Sequence, residues 1–391
     1  MKSVRIFNVK FSPNLGDGLL AECLEKGLIE FGLNPETTYS VDLAARTDYQ
    51  AGSGSRKYIL NVLNMLPALV RPLVLSIPLT FGLYRKWLPH YLQHLESAQA
   101  VVIGGGNLFT DVDLNFPTKI SALIRAANAK KIPIYIYGVG VGGHWSEKGL
   151  ALLKNAFKNA DIRYVSVRDQ NSKVNFEQFL AQYVKVKPIV VRDPGLLASR
   201  YLLSASAKPA LQKTVGLCVT NAIAVSYHSN ISISQPALVA WYAELYQQLV
   251  TDGYNVKIFT NGSPEDVEAA TTLLEMTGHH ANQTQSMLRP QNPTELVNFI
   301  AECNLIVAFR MHAIIAAYSC GVEVVALKWD VKLDSFMESV GKGEQIFSVI
   351  DDPISRVKSA IDALVIFEKT NAPVLDEALA QIRNFALLLK S

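Results

Sequence analysis

Val307-Ala308-Phe309-Arg310-Met311-His312-Ala313 is an apolar run that ends in an arginine and a histidine and passes at once into small residues with helical spacing. In an α/β sheet this is the carboxyl end of a buried strand feeding a helix N-terminus. Ligands bind in the crevice outside such strand ends, and helix N-termini favour anions. A guanidinium and an imidazole at that point suit a site that holds a charged ligand and moves a proton.

Working outward, the same arrangement recurs along the chain. Short β-rich runs at 3–9, 100–104, 132–138, 162–167 and 188–191 alternate with helical patterns at 18–31, 116–129, 148–159 and 170–179. After Asp193-Pro194-Gly195 and a linker near 205–209, a second set follows. Its strands are expected at 213–219, 256–260, 305–309 and 323–327, and its helices at 235–251, 265–277, 294–302 and 313–320. Alternation of this kind predicts parallel sheets with crossover helices. The expected fold is α/β, with two Rossmann-like domains facing each other across a cleft. They are expected at residues 1–204 and 210–370, followed by an amphipathic C-terminal helix within 371–391 that packs back on the first domain.

Bulk properties narrow the function. With 391 residues, two domains are the default. The composition, 49% hydrophobic and 18% charged with a net charge of +3, is that of a soluble globular protein. No Lys/Arg stripe accompanies that mild charge, which argues against a nucleic-acid partner. Cys23, Cys218, Cys303 and Cys320 form no C-x-x-C pair, and the chain opens on a strand rather than a signal peptide, so a cytoplasmic protein with reduced thiols is expected. One stretch departs from the average: residues 58–83 are strongly apolar but carry Pro67, Pro72, Pro78 and Arg71. Three prolines and an arginine argue against a membrane span. Either the stretch is a broken helical pair packed on the first domain, or, with Arg56, Lys57, Arg71, Arg85 and Lys86, it dips into the inner face of the membrane.

Several strand ends carry candidate chemistry. Asn14-Leu15-Gly16-Asp17-Gly18 follows the first strand; Asp17 there either orients a hydroxyl or acts as a base, or simply caps the helix. Gly104, Gly105 and Gly106, with Asn107 and Asp111, end the next strand, and three successive glycines suggest backbone pressed against a ligand or another strand end. Gly138, Gly140 and Gly142 end a third strand without the spacing or acidic residue of a dinucleotide fingerprint, so NAD is rejected, and Gly140 is read as part of a ligand rim. Arg168, at a fourth strand end, is a bidentate anion ligand or else a surface partner of Asp169, and Asp193 closes a fifth. In the second domain Arg310 and His312 are followed by Lys332 after the next strand, so neighbouring strand ends each supply a cation. No metal site is expected: His90 and His94 have i, i+4 spacing but lack the Glu of H-E-x-x-H, and His279-His280 sits in a polar loop.

Taken together these segments resemble the polysaccharide pyruvyl transferase family. The resemblance rests on Asn14, Gly16 and Asp17; on Gly104, Gly105 and Gly106 with Leu108, Phe109 and Asp111; on the glycines from Gly138 to Gly142; on Val167-Arg168-Asp169 with Ser172; on Asp193-Pro194; on Arg310-Met311-His312-Ala313; and on Asp330 with Lys332. Each motif is short, but they occur in order over most of the chain. Met311 stands where Leu is usual, Gly143 where Pro is common, and Asn107 where Gly is common; the last two bear on the acceptor.

The resemblance implies a glycosyltransferase-B-like fold and transfer of a pyruvyl group from phosphoenolpyruvate to a sugar of a polysaccharide or its lipid-linked precursor, as a cyclic ketal. Phosphoenolpyruvate is then the donor substrate and no cofactor is needed. The donor is expected at Arg168, Arg310, His312 and Lys332, with His312 and Asp17 catalytic. The saccharide acceptor is expected along Asn14, Gly16, Asp17, Gly105, Gly106, Asn107, Asp111 and Gly140. Two rival readings stand beside it: a sugar-nucleotide glycosyltransferase, for which Glu323 is the nearest candidate ribose ligand, and a non-catalytic polysaccharide-assembly protein.

Overall fold

A computed structural model describes residues 2–49, 78–205, 213–228, 233–278, 286–364 and 371–391. Most of the apolar 58–83 stretch, the linker residues 206–209 and the His279-His280 pair lie outside the described residues.

Two parallel sheets organise the chain. The first has the order β2-β1-β3-β4-β5-β6, from β1 (Val4–Asn8), β2 (Thr38–Asp42), β3 (Ala100–Phe109), β4 (Ile134–Val141), β5 (Ile162–Val167) and β6 (Ile189–Val190). The second has the order β11-β10-β9-β7-β8, from β7 (Thr214–Cys218), β8 (Asn255–Phe259), β9 (Leu305–Ala308), β10 (Glu323–Leu327) and β11 (Ile346–Phe347). Helices cover both faces of a parallel sheet, so its central strands read as unbroken apolar runs, as Leu305-Ile306-Val307-Ala308 does with every residue buried. Each sheet keeps its own core. Phe7, Ile103, Ile136 and Phe176 belong to the first, and Leu217, Tyr242, Ile258 and Val307 to the second.

The chain divides into two compact units. One comprises Met1–Ser12, Leu20–Pro194 and Glu377–Ser391, the other Pro13–Leu19 and Gly195–Asp376. The division falls after Pro194, ahead of the expected 204. Its cause is local: Ser319 donates to the Leu196 carbonyl at 2.7 Å and accepts from Ser199 N at 2.9 Å, which ties the 195–202 segment to the second unit. In the first unit, Phe385 of the helix Ala372–Lys390 lies against Tyr137 (ring centroids 4.5 Å) and Tyr164 (5.0 Å).

Two strands continue past the glycines that were expected to end them. β3 runs through Gly104, Gly105 and Gly106 to Phe109, and β4 through Gly138 and Gly140 to Val141. Packing requires the missing side chains: a Cβ on Gly104 would meet the Tyr137 carbonyl at 2.9 Å, and Gly105 (φ +79°) faces Leu20. These glycines therefore let neighbouring strands and a helix approach closely.

Candidate active site

In the second unit the connection reverses at β7. The chain runs from β7 outward to β8, then returns to lay β9 on the other side, and the β7/β9 boundary is where α/β sheets bind ligands. Pairing aligns Cys218 with Phe259 on one side and with Ala308 on the other, so Asn261, Thr220 and Arg310 stand two residues beyond, at matching strand ends. Arg310 caps the helix Met311–Ser319 with extended backbone. Its Nε and Nη2 both donate to Oδ2 of Asp266, at 2.9 and 2.7 Å, while Asp266 Oδ1 accepts from Asn221 N at 2.9 Å. Asp266 is completely buried. Burial pushes its carboxyl upward against the Arg310 charge and the Asn221 N–H; with three donors aimed at it the group is held as the anion of an ion pair. The Arg310 guanidinium also lies 5.6 Å from the Trp329 ring.

The Asn14–Asp17 turn belongs to this unit. Leu15 N donates to the Asn261 carbonyl at 2.8 Å, and Gly262 (φ +90°) lets the turn in, since a Cβ there would reach Pro13 O at 3.0 Å. A Cβ on Gly16 would lie 2.4 Å from Nδ1 of His312, so the imidazole rests directly on the Gly16 backbone. Asn14 Oδ1 receives Gly16 N at 3.2 Å; Asn14 rather than Asp17 thus takes the capping role and starts the helix Leu15–Glu30 three residues before its expected start. Asp17 is half-buried in the first turn, where the helix dipole favours its charge. Lys332 Nζ stands 3.3 Å from Asp330, which caps the helix Val331–Ser339. His312, Arg310, Lys332, Asn14, Gly16 and Asp17 all lie in the second unit. The tie is the backbone bond from Leu15 to Asn261.

In the first unit Arg168 and Asn107 converge on Gly140, whose added Cβ would sit 2.4 Å from Asn107 Oδ1 and 3.1 Å from Arg168 Cζ. The Arg168 side chain is 5% exposed, so it is no surface partner of Asp169, although Nε lies 3.4 Å from that carboxylate. Asp169 meanwhile caps the helix Gln170–Phe179 through Ser172 N at 2.6 Å. Asp111 is taken up by its own loop: it accepts from Ser146 N and Oγ at 2.8 and 2.6 Å and from Leu114 N at 3.2 Å.

The family model described as polysaccharide pyruvyl transferase matches residues 14–331, from the Asn14 turn to the start of the helix that carries Lys332. The chain belongs to the polysaccharide pyruvyl transferase family. It is similar to the amylovoran biosynthesis protein AmsJ of Erwinia amylovora, with 24% identity over 298 residues that cover 70% of this chain and 69% of that protein. Among solved structures, the UDP-GlcNAc 2-epimerase of Methanocaldococcus jannaschii superposes with a TM-score of 0.56 at 13% identity, covering 99% of each chain. The Neisseria meningitidis UDP-GlcNAc 2-epimerase bound to UDP-GlcNAc gives 0.54 at 13% identity and full coverage of both chains. At such identities the likeness is one of fold, the glycosyltransferase-B type.

For this member of the pyruvyl transferase family, the structure adds residues that sequence reasoning passed over. Asp266 fixes Arg310 from the first turn of the helix Pro264–Met276, and Asn221, three residues past β7, holds Asp266 through its backbone N–H. Thr220 Oγ1 and Asn261 Nδ2 are buried beside them, with no hydrogen-bond partner among the described residues. A polar residue two places past the end of each neighbouring strand was the available signal. His90 and His94 are engaged locally: their rings meet edge to face with centroids 4.6 Å apart, and His94 Nδ1 meets the Tyr39 hydroxyl at 3.1 Å.

Proposed function

We propose that the protein transfers the pyruvyl group of phosphoenolpyruvate to two hydroxyls of a saccharide, forming a cyclic ketal and releasing phosphate. The observation that carries this reading is the placement of His312. It sits in the first turn of a helix whose cap, Arg310, is held by buried Asp266, and its ring lies against Gly16. A helix N-terminus, a guanidinium and the Lys332 ammonium suit a donor that bears a carboxylate and a phosphate. Nε and Nη2 of Arg310 are directed at Asp266, and its Nη1 edge is the part proposed to meet the donor. Arg168, buried just past β5, is proposed from the family resemblance as a ligand of a donor anionic group.

The chemistry needs a proton at the donor's methylene carbon. His312 supplies it as general acid, and the adjacent carbon becomes cationic. One sugar hydroxyl adds there and loses its proton; Asp17 is the residue proposed to orient or deprotonate it. A second hydroxyl then displaces phosphate, passing its proton to the departing phosphate, and closes the ring. Asp111 is left out of this step because its oxygens already hold the Ser146 loop.

The test is phosphoenolpyruvate-dependent phosphate release with saccharide acceptors, read beside thermal shift with phosphoenolpyruvate and with sugar nucleotides. Phosphoenolpyruvate should stabilise the protein and sugar nucleotides should not, with the shift reduced in Arg168→Ala and Lys332→Ala. His312→Ala should lower turnover by about a thousandfold or more while the melting temperature is kept. Stabilisation by a sugar nucleotide alone, or wild-type turnover in His312→Ala, overturns the assignment.

A further inference from the structure

The helical segment 78–95 in the first unit has two faces that behave differently. One packs inward: Tyr91 and Leu95 are buried, Leu83, Trp87 and Leu88 lean on the same core, and Lys119 Nζ lies 4.4 Å from the Trp87 ring. Tyr91 also donates to the Leu43 carbonyl at 2.6 Å. The other face leaves Phe81 63%, Tyr84 66% and Leu92 40% exposed, at three- and eight-residue steps that return to one side of a helix. Arg85 and Lys86 stand exposed on the π turn Leu83–Trp87 between them, with the Arg85 guanidinium 5.5 Å from the Phe81 ring. No Asp or Glu occurs from 78 to 95.

We infer that this face docks the protein on an anionic lipid bilayer, with Phe81, Tyr84 and Leu92 at the headgroup boundary and Arg85 and Lys86 on lipid phosphates. The charge pattern selects this occupant. Aromatic rings beside basic side chains, with no acid among them, match the boundary between acyl chains and negative headgroups. Burial lowers both His90 and His94 below the usual imidazole range, so near neutral pH the positive charge of this face comes from Arg85 and Lys86. The helix lies on the surface rather than crossing: among the described residues no helix is long and apolar enough to span a membrane. Docking of this kind would hold the enzyme where a lipid-linked saccharide is presented.

The full-length protein is sedimented with phosphatidylcholine vesicles with and without phosphatidylglycerol, a readout independent of pyruvyl transfer. Binding should require phosphatidylglycerol, fall with added salt, and weaken about thirtyfold in Arg85→Ala/Lys86→Ala, two surface cations' worth. Phe81→Ser/Tyr84→Ser should weaken it as well while the salt dependence remains. Both pairs are solvent-exposed, and unchanged melting temperatures check that the fold survives. Absence of binding by the wild type, equal binding to pure phosphatidylcholine, or wild-type binding by both variants overturns the inference. So does a dimer that the same substitutions dissolve without any vesicle binding, which would make the face a self-association surface.

Discussion

Gly16 carries no side chain because His312 occupies the space where one would begin: a Cβ would lie 2.4 Å from the imidazole Nδ1. Gly16→Ala should displace the ring and lower phosphoenolpyruvate-dependent turnover by about ten- to a hundredfold, since misplacement by an ångström is enough for that loss. The melting temperature should fall as well, because the added methyl would also meet the His312 Cβ at 2.5 Å and the packing must shift. Full activity in Gly16→Ala would show that the ring position is not critical. Asp266 acts differently. Removing it leaves the Arg310 guanidinium without its buried counter-charge, so Asp266→Ala should cost about 3–5 kcal/mol in denaturant unfolding. A cost near zero would mean that Arg310 finds another partner.

At the scale of elements, close approach and burial decide what the sequence pattern leaves open. β3 and β4 pass through their glycines, and Gly140 makes room for Asn107 and Arg168. Gly140→Ala is therefore expected to destabilise by about 1–3 kcal/mol through overpacking and to weaken donor binding in thermal shift by displacing Arg168. The 78–95 helix carries a pH dependence. Burial is the first cause that lowers His90 and His94, and for His94 the neighbouring His90 and Arg5 add to it. The unfolded chain therefore binds protons near pH 6.5 that the folded chain resists, so this stability is present above that pH and is lost as pH falls through it. Replacing both histidines with glutamine should flatten the decline in melting temperature between about pH 7.5 and about pH 5.5. Equal slopes in the two proteins would count against this account. The short outer strands β2 and β11 escaped sequence reading for a related reason. Thr38-Tyr39-Ser40-Val41-Asp42 is half polar, and its Asp42 is fixed by loop contacts with Phe11 N and Arg46 rather than by any apolar run.

The whole molecule consists of two units whose sequences interleave. Residues Glu377–Ser391 complete the first, and Phe385 fills the space beside Tyr135, Tyr137 and Tyr164. Phe385→Ala should cost about 3–5 kcal/mol. Hydrogen exchange should report the loss in β4 and β5 and leave β7, β8 and β9 protected; uniform loss across both sheets would mean that the units unfold as one. The sequence by itself determined the parallel α/β class, the central strands and the helices between them, because buried parallel strands read as apolar runs and helices repeat every three to four residues. It also marked the strand ends that carry Arg168, Arg310, His312 and Lys332, since polar residues directly after an apolar run stand out locally. Only the tertiary structure decided that Gly16 lies under His312, that Asp266 holds Arg310, and that the Asn14 turn joins the second unit. Those pairings link residues far apart in the chain, and no local periodicity encodes which distant backbone a side chain will meet.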